Sequence, residues 1–132
     1  MMTYPNLQPR DCNVCGGHDT VGLVDNTRIY GSKKGSGLVY YCHNCGAYVG
    51  THVPNPTIAY GILSNKEMRY YRVECHKLFD KRWSNSRFKK NSRENAYRQL
   101  ARYLDIPREL AHFGYMDLAT LKKAYKWLLD KY

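Results

Sequence analysis

The distribution of apolar and polar residues divides the chain near residue 64. Before that point the apolar runs are short, contain β-branched and aromatic residues, and are bounded by turn residues: Val21–Val24, Thr27–Tyr30 and Leu38–Tyr41. Runs of this kind are typical of β-strands. The pattern predicts three short antiparallel strands, with a tight turn at Asp25–Asn26 and a flexible basic loop over residues 31–37.

After residue 64 the apolar residues recur at helical spacing. A first helix is predicted from Ser64 to Trp83, a second from Ser92 to Leu104, and a last one after Asp117, which is expected to cap it. The residues predicted to face inward from the last helix are Leu118, Leu121, Tyr125, Leu128 and Leu129. Residues 51–63 contain two prolines and are predicted to form an irregular connector.

Four cysteines form two knuckles of identical spacing. Cys12 and Cys15, like Cys42 and Cys45, follow the pattern Cys-x-x-Cys, and a glycine follows each pair. Two such pairs supply the four thiolates of a tetrahedral zinc site, whereas a thioredoxin-like redox site needs only one pair. The N-terminal residues contain no apolar run, so neither a signal peptide nor a disulfide framework is expected. The sequence therefore predicts one structural Zn²⁺ on these four residues, with Cys75 as a buried thiol.

These elements predict an α+β fold. Residues 1–54 are expected to form a zinc ribbon, a small antiparallel sheet with two cysteine knuckles. Residues 55–132 are expected to form a basic part built as a bundle of about three helices, packed with the ribbon as one compact unit. Three short strands bury little apolar surface, so the metal ion is expected to take the place of a larger core.

The net charge favours a polyanionic partner. The 132 residues include 21 Lys and Arg against 11 Asp and Glu, a formal charge of +10, and most of the excess lies after residue 60. A basic surface interleaved with aromatic residues is typical of proteins that bind DNA or RNA through phosphate contacts. No apolar stretch approaches membrane-spanning length. The residues predicted to contact nucleic acid are Lys33, Lys34, Lys66, Tyr70, Lys77, Lys81, Arg87, Lys89, Lys90, Arg98 and Arg102. Of these, Lys89 and Lys90 are predicted to lie in a polar linker.

A polar seam follows one flank of the first predicted helix. Arg69, Arg72, His76 and Asp80 are spaced by three and four residues, so they lie on the same face, and His112 is expected to approach them. A buried arginine needs a carboxylate or a comparable partner. The seam is interpreted as a structural network, with an anion-binding or catalytic site as the alternative. Because no motif places a nucleophile, an enzyme is the less favoured interpretation.

Trp127 points away from the predicted inward face of the last helix. Three interpretations remain open: packing on another part of the chain, a stacking platform for a base, or an anchor for a protein interface, where tryptophan is frequent among hot spots. Its exposure decides between packing and the two functional roles.

Several stretches resemble a family of small zinc-finger-containing proteins found in phages and prophages. They include CHNCGAYVGTH at residues 42–52, CHKLFDKRW at 75–83 and AHFGYMD at 111–117. The resemblance extends from Cys12 to about Tyr125, and it implies a fold, a phage origin and hence the bacterial host cytosol, but no activity. It suggests a second function, a protein-binding module that blocks a host enzyme, for example a defence nuclease such as a CRISPR effector.

Overall fold

The structure, a computed structural model, describes residues 3–84 and 86–131, apart from the side chain of Lys131. Within these residues three strands, β1 (Val21–Asp25), β2 (Leu38–Cys42) and β3 (Tyr48–Gly50), form an antiparallel sheet. The helices are α1 (Thr27–Tyr30), α2 (Lys66–Lys81), α3 (Lys89–Leu104) and α4 (Leu118–Lys131), and short 3-10 turns occur at Arg108–Leu110 and Phe113–Tyr115. The predicted α+β class, a small ribbon sheet and a helical part, is confirmed.

β2 is the central strand of the sheet. It pairs with β1 so that Cys42 is opposite Val21, and with β3 so that Tyr40 is opposite Val49. Strands of three to five residues bury little apolar surface, and the core around them is correspondingly small. Its buried members are Cys12, Tyr40, Cys42, Ala47, Val49, Ala59 and Leu63. Two of these are cysteines of the predicted zinc site, so the site and the ribbon core are continuous.

The predicted strand at Thr27–Tyr30 is wrong, because this segment forms the short helix α1. The Asn26 carbonyl accepts two backbone hydrogen bonds from it, both 3.0 Å long, and the Asp25 carboxylate accepts the N–H of Thr27 at 2.8 Å. Gly31 ends the helix with a left-handed φ of 78°. Local hydrogen bonding by Asp and Asn therefore outweighs the β-propensity of the segment.

Asn26 also fixes the path of the loop over residues 31–37. Its Nδ2 donates to the Lys34 carbonyl at 2.6 Å, and its Oδ1 accepts the Lys34 N–H at 3.3 Å. Its own N–H donates to the Gly37 carbonyl at 2.9 Å. Only 3% of Asn26 is exposed. The loop that was predicted to be flexible is thus held at Lys34 by one buried side chain.

The predicted connector, residues 51–63, packs with the sheet. Thr51 bridges Ala59, and Tyr48 bridges Ser64. Ala59 and Leu63 are fully buried in the ribbon core. The chain divides into two compact units, one of Pro5–Lys66 and the other consisting chiefly of the residues from Glu67 onward. The first unit therefore extends past residue 54, because residues beyond it complete its core.

The helical unit has an aromatic core of its own. The ring of Phe79 lies 4.4 Å from that of Tyr97 and 5.6 Å from that of Phe113, measured between centroids. Burying such a side chain contributes about 1.5–3 kcal/mol to stability. Cys75 is fully buried, with its Sγ 3.7 Å from the Leu121 carbonyl oxygen, so the predicted buried thiol is confirmed.

α3 begins at Lys89, earlier than the predicted start after Ser92. The Phe88 carbonyl accepts the Ser92 N–H at 3.0 Å, and the Ser86 hydroxyl accepts the Phe88 N–H at 3.1 Å. These contacts begin the helix upstream of the predicted position. Lys89 and Lys90 therefore lie in the first turn of α3 rather than in a polar linker.

The inward face of α4 differs from the predicted face by roughly 80°, at ~100° per residue. Its buried residues are Leu121, Ala124, Trp127 and Leu128, while Leu129 is 47% exposed. The predicted inward face omits the small residue Ala124. When Ala124 is included, the centre of the inward face shifts toward Trp127.

Of the three interpretations of Trp127, packing within the chain is therefore correct, and the stacking-platform and interface roles are wrong. Trp127 is 9% exposed. Its ring stacks on Tyr103 with centroids 5.5 Å apart and planes at 23°, and the Arg82 guanidinium lies 4.3 Å from its centroid. These contacts leave no free face for a base or a partner protein.

Candidate metal centre and nucleic-acid interface

Each cysteine pair lies in a tight turn that a glycine closes. The Gly16 N–H donates to the Cys12 carbonyl at 3.0 Å, and the Gly46 N–H donates to the Cys42 carbonyl at 2.9 Å. Both glycines have left-handed backbones, with φ of 75° and 84°. A side chain would strain that conformation, so the glycines allow each turn to fold its two sulfurs toward one point.

The four sulfurs form a cluster with the dimensions of a zinc site. All lie within 4.8 Å of one another. Two pairs cross between the knuckles, Cys12 with Cys45 and Cys15 with Cys42, each with sulfurs 3.7 Å apart. A tetrahedron with Zn–S bonds of about 2.3 Å has sulfurs about 3.8 Å apart. A disulfide would require about 2.05 Å, and all four cysteines are free thiols.

Neighbouring groups stabilise negative charge on two of the sulfurs. Burial raises the pKa of Cys42, but hydrogen bonds from the Thr20 hydroxyl at 3.2 Å and from backbone N–H groups of its knuckle outweigh this effect and lower the pKa to about 6. The Asn44 side-chain amide donates to Cys15 at 3.3 Å and lowers its pKa. Donors of this kind orient metal ligands and tune their basicity.

The other two cysteines require a cation to ionise. Burial raises the pKa of Cys12 to about 12, against backbone hydrogen bonds that lower it, and burial also raises the pKa of Cys45. Four thiolates in contact repel one another, so a divalent ion is needed to hold all four deprotonated. The residues fit one structural Zn²⁺. Because the protein supplies all four ligands, the ion has no open position for substrate and acts in folding.

The polar seam connects α2 to the segment that follows α3. Arg72 donates from Nη2 to the Gly114 carbonyl at 3.1 Å, and burial, followed by the charge of Arg69, lowers its pKa to about 10. The His76 ring contacts Phe113 edge to face, with centroids 4.8 Å apart. His112 contacts the neighbouring Tyr115 ring at 4.7 Å. These contacts are those of a structural network, while an anion-binding role for the seam stays a prediction.

Asp80 takes a peripheral place in the seam. It is exposed near the end of α2, and its charge acts on the His76 imidazole against the effect of burial. Its backbone carbonyl accepts the N–H groups of Trp83 and Ser84 at 3.3 and 2.9 Å.

The outer face of α2 carries an exposed basic stripe. The stripe contains Lys66, Tyr70, Lys77 and Lys81, which are spaced by four, seven and four residues. This spacing places them on one face of the helix, opposite its buried residues. Val73 is 53% exposed and lies in the same stripe. Lys77 pairs with Glu74 at 3.2 Å.

The remaining predicted contacts are exposed in two different units. In the helical unit Arg87 precedes α3, Lys89 and Lys90 lie in its first turn, and Arg98 and Arg102 lie on it. In the ribbon unit the loop lysines lie beside α1: Lys33 pairs with Asp25 at 3.7 Å, and the Lys34 ammonium lies 5.2 Å from the centroid of the Tyr30 ring.

Phe88 was missed as a candidate from the sequence. It is 68% exposed and lies between Arg87 and the two lysines that begin α3. The sequence does contain an indication of its exposure: Phe88 lies within a run of basic residues, RFKK, and is not part of the apolar face of any predicted helix.

No described helix has the length and apolar character needed to cross a membrane.

No curated protein and no solved structure matches the chain. The sequence profile of DUF3268, described as a zinc-finger-containing domain, matches residues 8–131, a range that includes all four cysteines of the metal site and most of both compact units. The chain therefore belongs to this family of zinc-finger-containing domains.

Proposed function

We propose that the protein binds nucleic acid through phosphate contacts and base stacking on its helical unit, while the zinc site maintains the ribbon. The observation that carries this proposal is the segment 87–90. Phe88 presents its ring to solvent between three cationic side chains, Arg87, Lys89 and Lys90. Base stacking on such a ring is worth about 1–3 kcal/mol per base, and the flanking cations attract the backbone.

The charges on this surface are available to an external anion. Among the described residues of α2, α3 and the segment between them, six of the predicted cations have no carboxylate within ion-pair distance. They are Lys66, Lys81, Arg87, Lys89, Lys90 and Arg102. A surface that neutralised its own charge would pair these groups, so their availability supports a polyanionic partner.

The mode of binding follows from the residue types. The exposed aromatic residues Phe88 and Tyr70 offer stacking faces, which every base can use. Phosphate contacts and base stacking carry little information about the base sequence. The proposed binding is therefore mainly electrostatic, with little dependence on sequence.

The test is a titration of fluorescent oligonucleotides against the full chain at several salt concentrations. Lys89→Glu/Lys90→Glu is expected to weaken binding and to reduce the slope of log K against log salt by about 1.4 for a single strand, because each lost phosphate contact removes about 0.7. The variant is not expected to unfold, since acidic residues in the first turn of a helix are favourable by about 0.3–1 kcal/mol each.

Lys126→Glu on α4 is the control for net charge, because Lys126 is exposed and lies outside the proposed surface. It is compared with Lys89→Glu alone, which changes the charge by the same amount. A smaller loss for Lys126→Glu supports a local surface. Absence of binding at low salt to single-stranded and double-stranded DNA and RNA would contradict the proposal.

We also propose that the protein is phage-encoded and acts in the bacterial host cytosol, where reduced thiols are free to bind zinc. A protein-binding module that blocks a host enzyme is the alternative function, but the burial of Trp127 removes its predicted anchor. A pull-down from nuclease-treated host lysate separates the two. A stoichiometric protein partner that survives nuclease would favour the alternative.

A further inference from the structure

The ribbon unit contains a second candidate site, a cavity of about 300 Å³ between α1, the loop over residues 31–37 and the edge of the sheet. This volume is at the lower end of the range for small-molecule sites, ~300–1,000 Å³. Its floor is largely apolar, with Val39 and the backbone of Gly50, and its walls include Tyr30 and Tyr60. Lys34 provides a cation, and none of the described residues that line the cavity carries a carboxylate.

Tyr60 is held in position but remains open to the cavity. Its ring packs over Gly50, where an added Cβ would lie 3.6 Å from Cδ2. The ring of His52 lies 4.3 Å away between centroids. Even so, 54% of Tyr60 is exposed, and Tyr30 on another wall is 40% exposed. Two exposed tyrosines around an apolar floor suit a planar aromatic ligand.

Lys34 is placed at this cavity by the buried Asn26 side chain, which bonds both backbone groups of Lys34. Its ammonium lies above the Tyr30 ring. The adjacent Lys33 instead pairs with Asp25 and does not line the cavity. The chain thus fixes one of two neighbouring lysines beside the aromatic walls.

We propose that this cavity takes one unpaired base of a nucleic-acid strand, stacked on Tyr60, with the neighbouring phosphate on Lys34. The proposal rests on the nucleic-acid function proposed above and adds a base site on the ribbon. The Ser36 and Thr51 hydroxyls at the cavity bond one another and the Leu38 carbonyl. Their two hydroxyl hydrogens are used within the chain, so these groups donate nothing to a base. The site therefore holds the base mainly by stacking, which accepts different bases.

The first experiment measures binding of a thymidine decamer to the full chain by fluorescence anisotropy. Tyr60→Ala is expected to weaken binding by about fivefold to 150-fold, which corresponds to the stacking energy of one base, about 1–3 kcal/mol. Tyr60→Phe keeps the stacking face and is expected to bind within about twofold of the wild type. Lys34→Ala is expected to weaken binding more than its matched control Lys33→Ala.

A second measurement uses the unmodified protein and so does not depend on a variant that folds. A single strand containing 5-iododeoxyuridine is crosslinked by light, and the attached residue is mapped by mass spectrometry. Crosslinks at Tyr60 or Tyr30 are expected. If crosslinks form only on the helical unit, and Tyr60→Ala binds as the wild type does, the base site is overturned while the proposed function stands. If no strand binds at low salt, both proposals fail.

Discussion

Two histidines of the helical unit, His76 and His112, are less basic in the fold than a free imidazole. Burial lowers the pKa of both, and nearby guanidinium groups add to the effect: Arg93 and Arg72 for His76, Arg108 and Arg93 for His112. Asp80 acts in the opposite direction on His76. Each ring also contacts an aromatic neighbour, and both side chains keep an exposed part that limits the size of the effect on stability.

The helical unit is therefore expected to lose stability in mild acid. Because the folded-state pKa values are lowered, the stabilising contribution is complete above the ordinary histidine pKa of about 6.5 and is lost as the pH falls through the lower folded-state values. Emission from Trp83 and Trp127 during urea unfolding at pH 7.5 and 5.5 measures this, since the chain's two tryptophans both lie in this unit.

His76→Ala is expected to lower stability at pH 7.5 by about 1 kcal/mol through the lost ring contact with Phe113 and to flatten the pH dependence. Its effect on oligonucleotide binding is expected to be smaller. Unchanged unfolding together with lost binding would contradict the structural interpretation of the seam and favour an anion site.

At the scale of elements, the hydrophobic pattern predicted the long helices and two of the strands, because their burial is periodic. It failed at Thr27–Tyr30, where hydrogen bonds to the Asp25 carboxylate and the Asn26 backbone carbonyl override strand propensity. It also gave the wrong buried face for α4, because Ala124 is small and contributes little to the hydrophobic pattern although it is buried. The cavity on the ribbon could not be predicted, because Lys34 and Tyr60 are far apart in the sequence and only the folded structure brings them to the same cavity.

The cap of α4 is a case where the sequence was sufficient. The Asp117 carboxylate accepts the N–H of Thr120 at 2.8 Å, as predicted for the residue that begins α4. Asp117→Ala is expected to cost about 0.5–2 kcal/mol of stability, measured by urea unfolding. Asp130→Ala, at the other end of the same helix, is the control and is expected to be neutral or slightly stabilising, because a negative charge there opposes the helix dipole. Equal losses for both would contradict the capping role.

At the scale of the whole molecule, the two units reach stability by different means. The helical unit buries large side chains such as Phe79, Phe113 and Met116, and it can be stable without metal. The ribbon buries few, and two of its core residues are metal ligands. Structural zinc contributes roughly 10–16 kcal/mol in comparable small modules. Both the spacing in the sequence and the sulfur positions in the fold assign that contribution to the same four cysteines.

The zinc content per chain in natively purified protein tests most directly whether one ion on these four cysteines stabilises the ribbon. One zinc per chain is expected in the wild type and in Cys75→Ser, whose altered residue lies outside the sulfur cluster. Cys42→Ser is expected to lose the metal and unfold the ribbon while the tryptophan emission of the helical unit is at least partly retained. A wild-type protein without zinc, or a Cys42→Ser variant that keeps a full equivalent, would contradict this role of the ion.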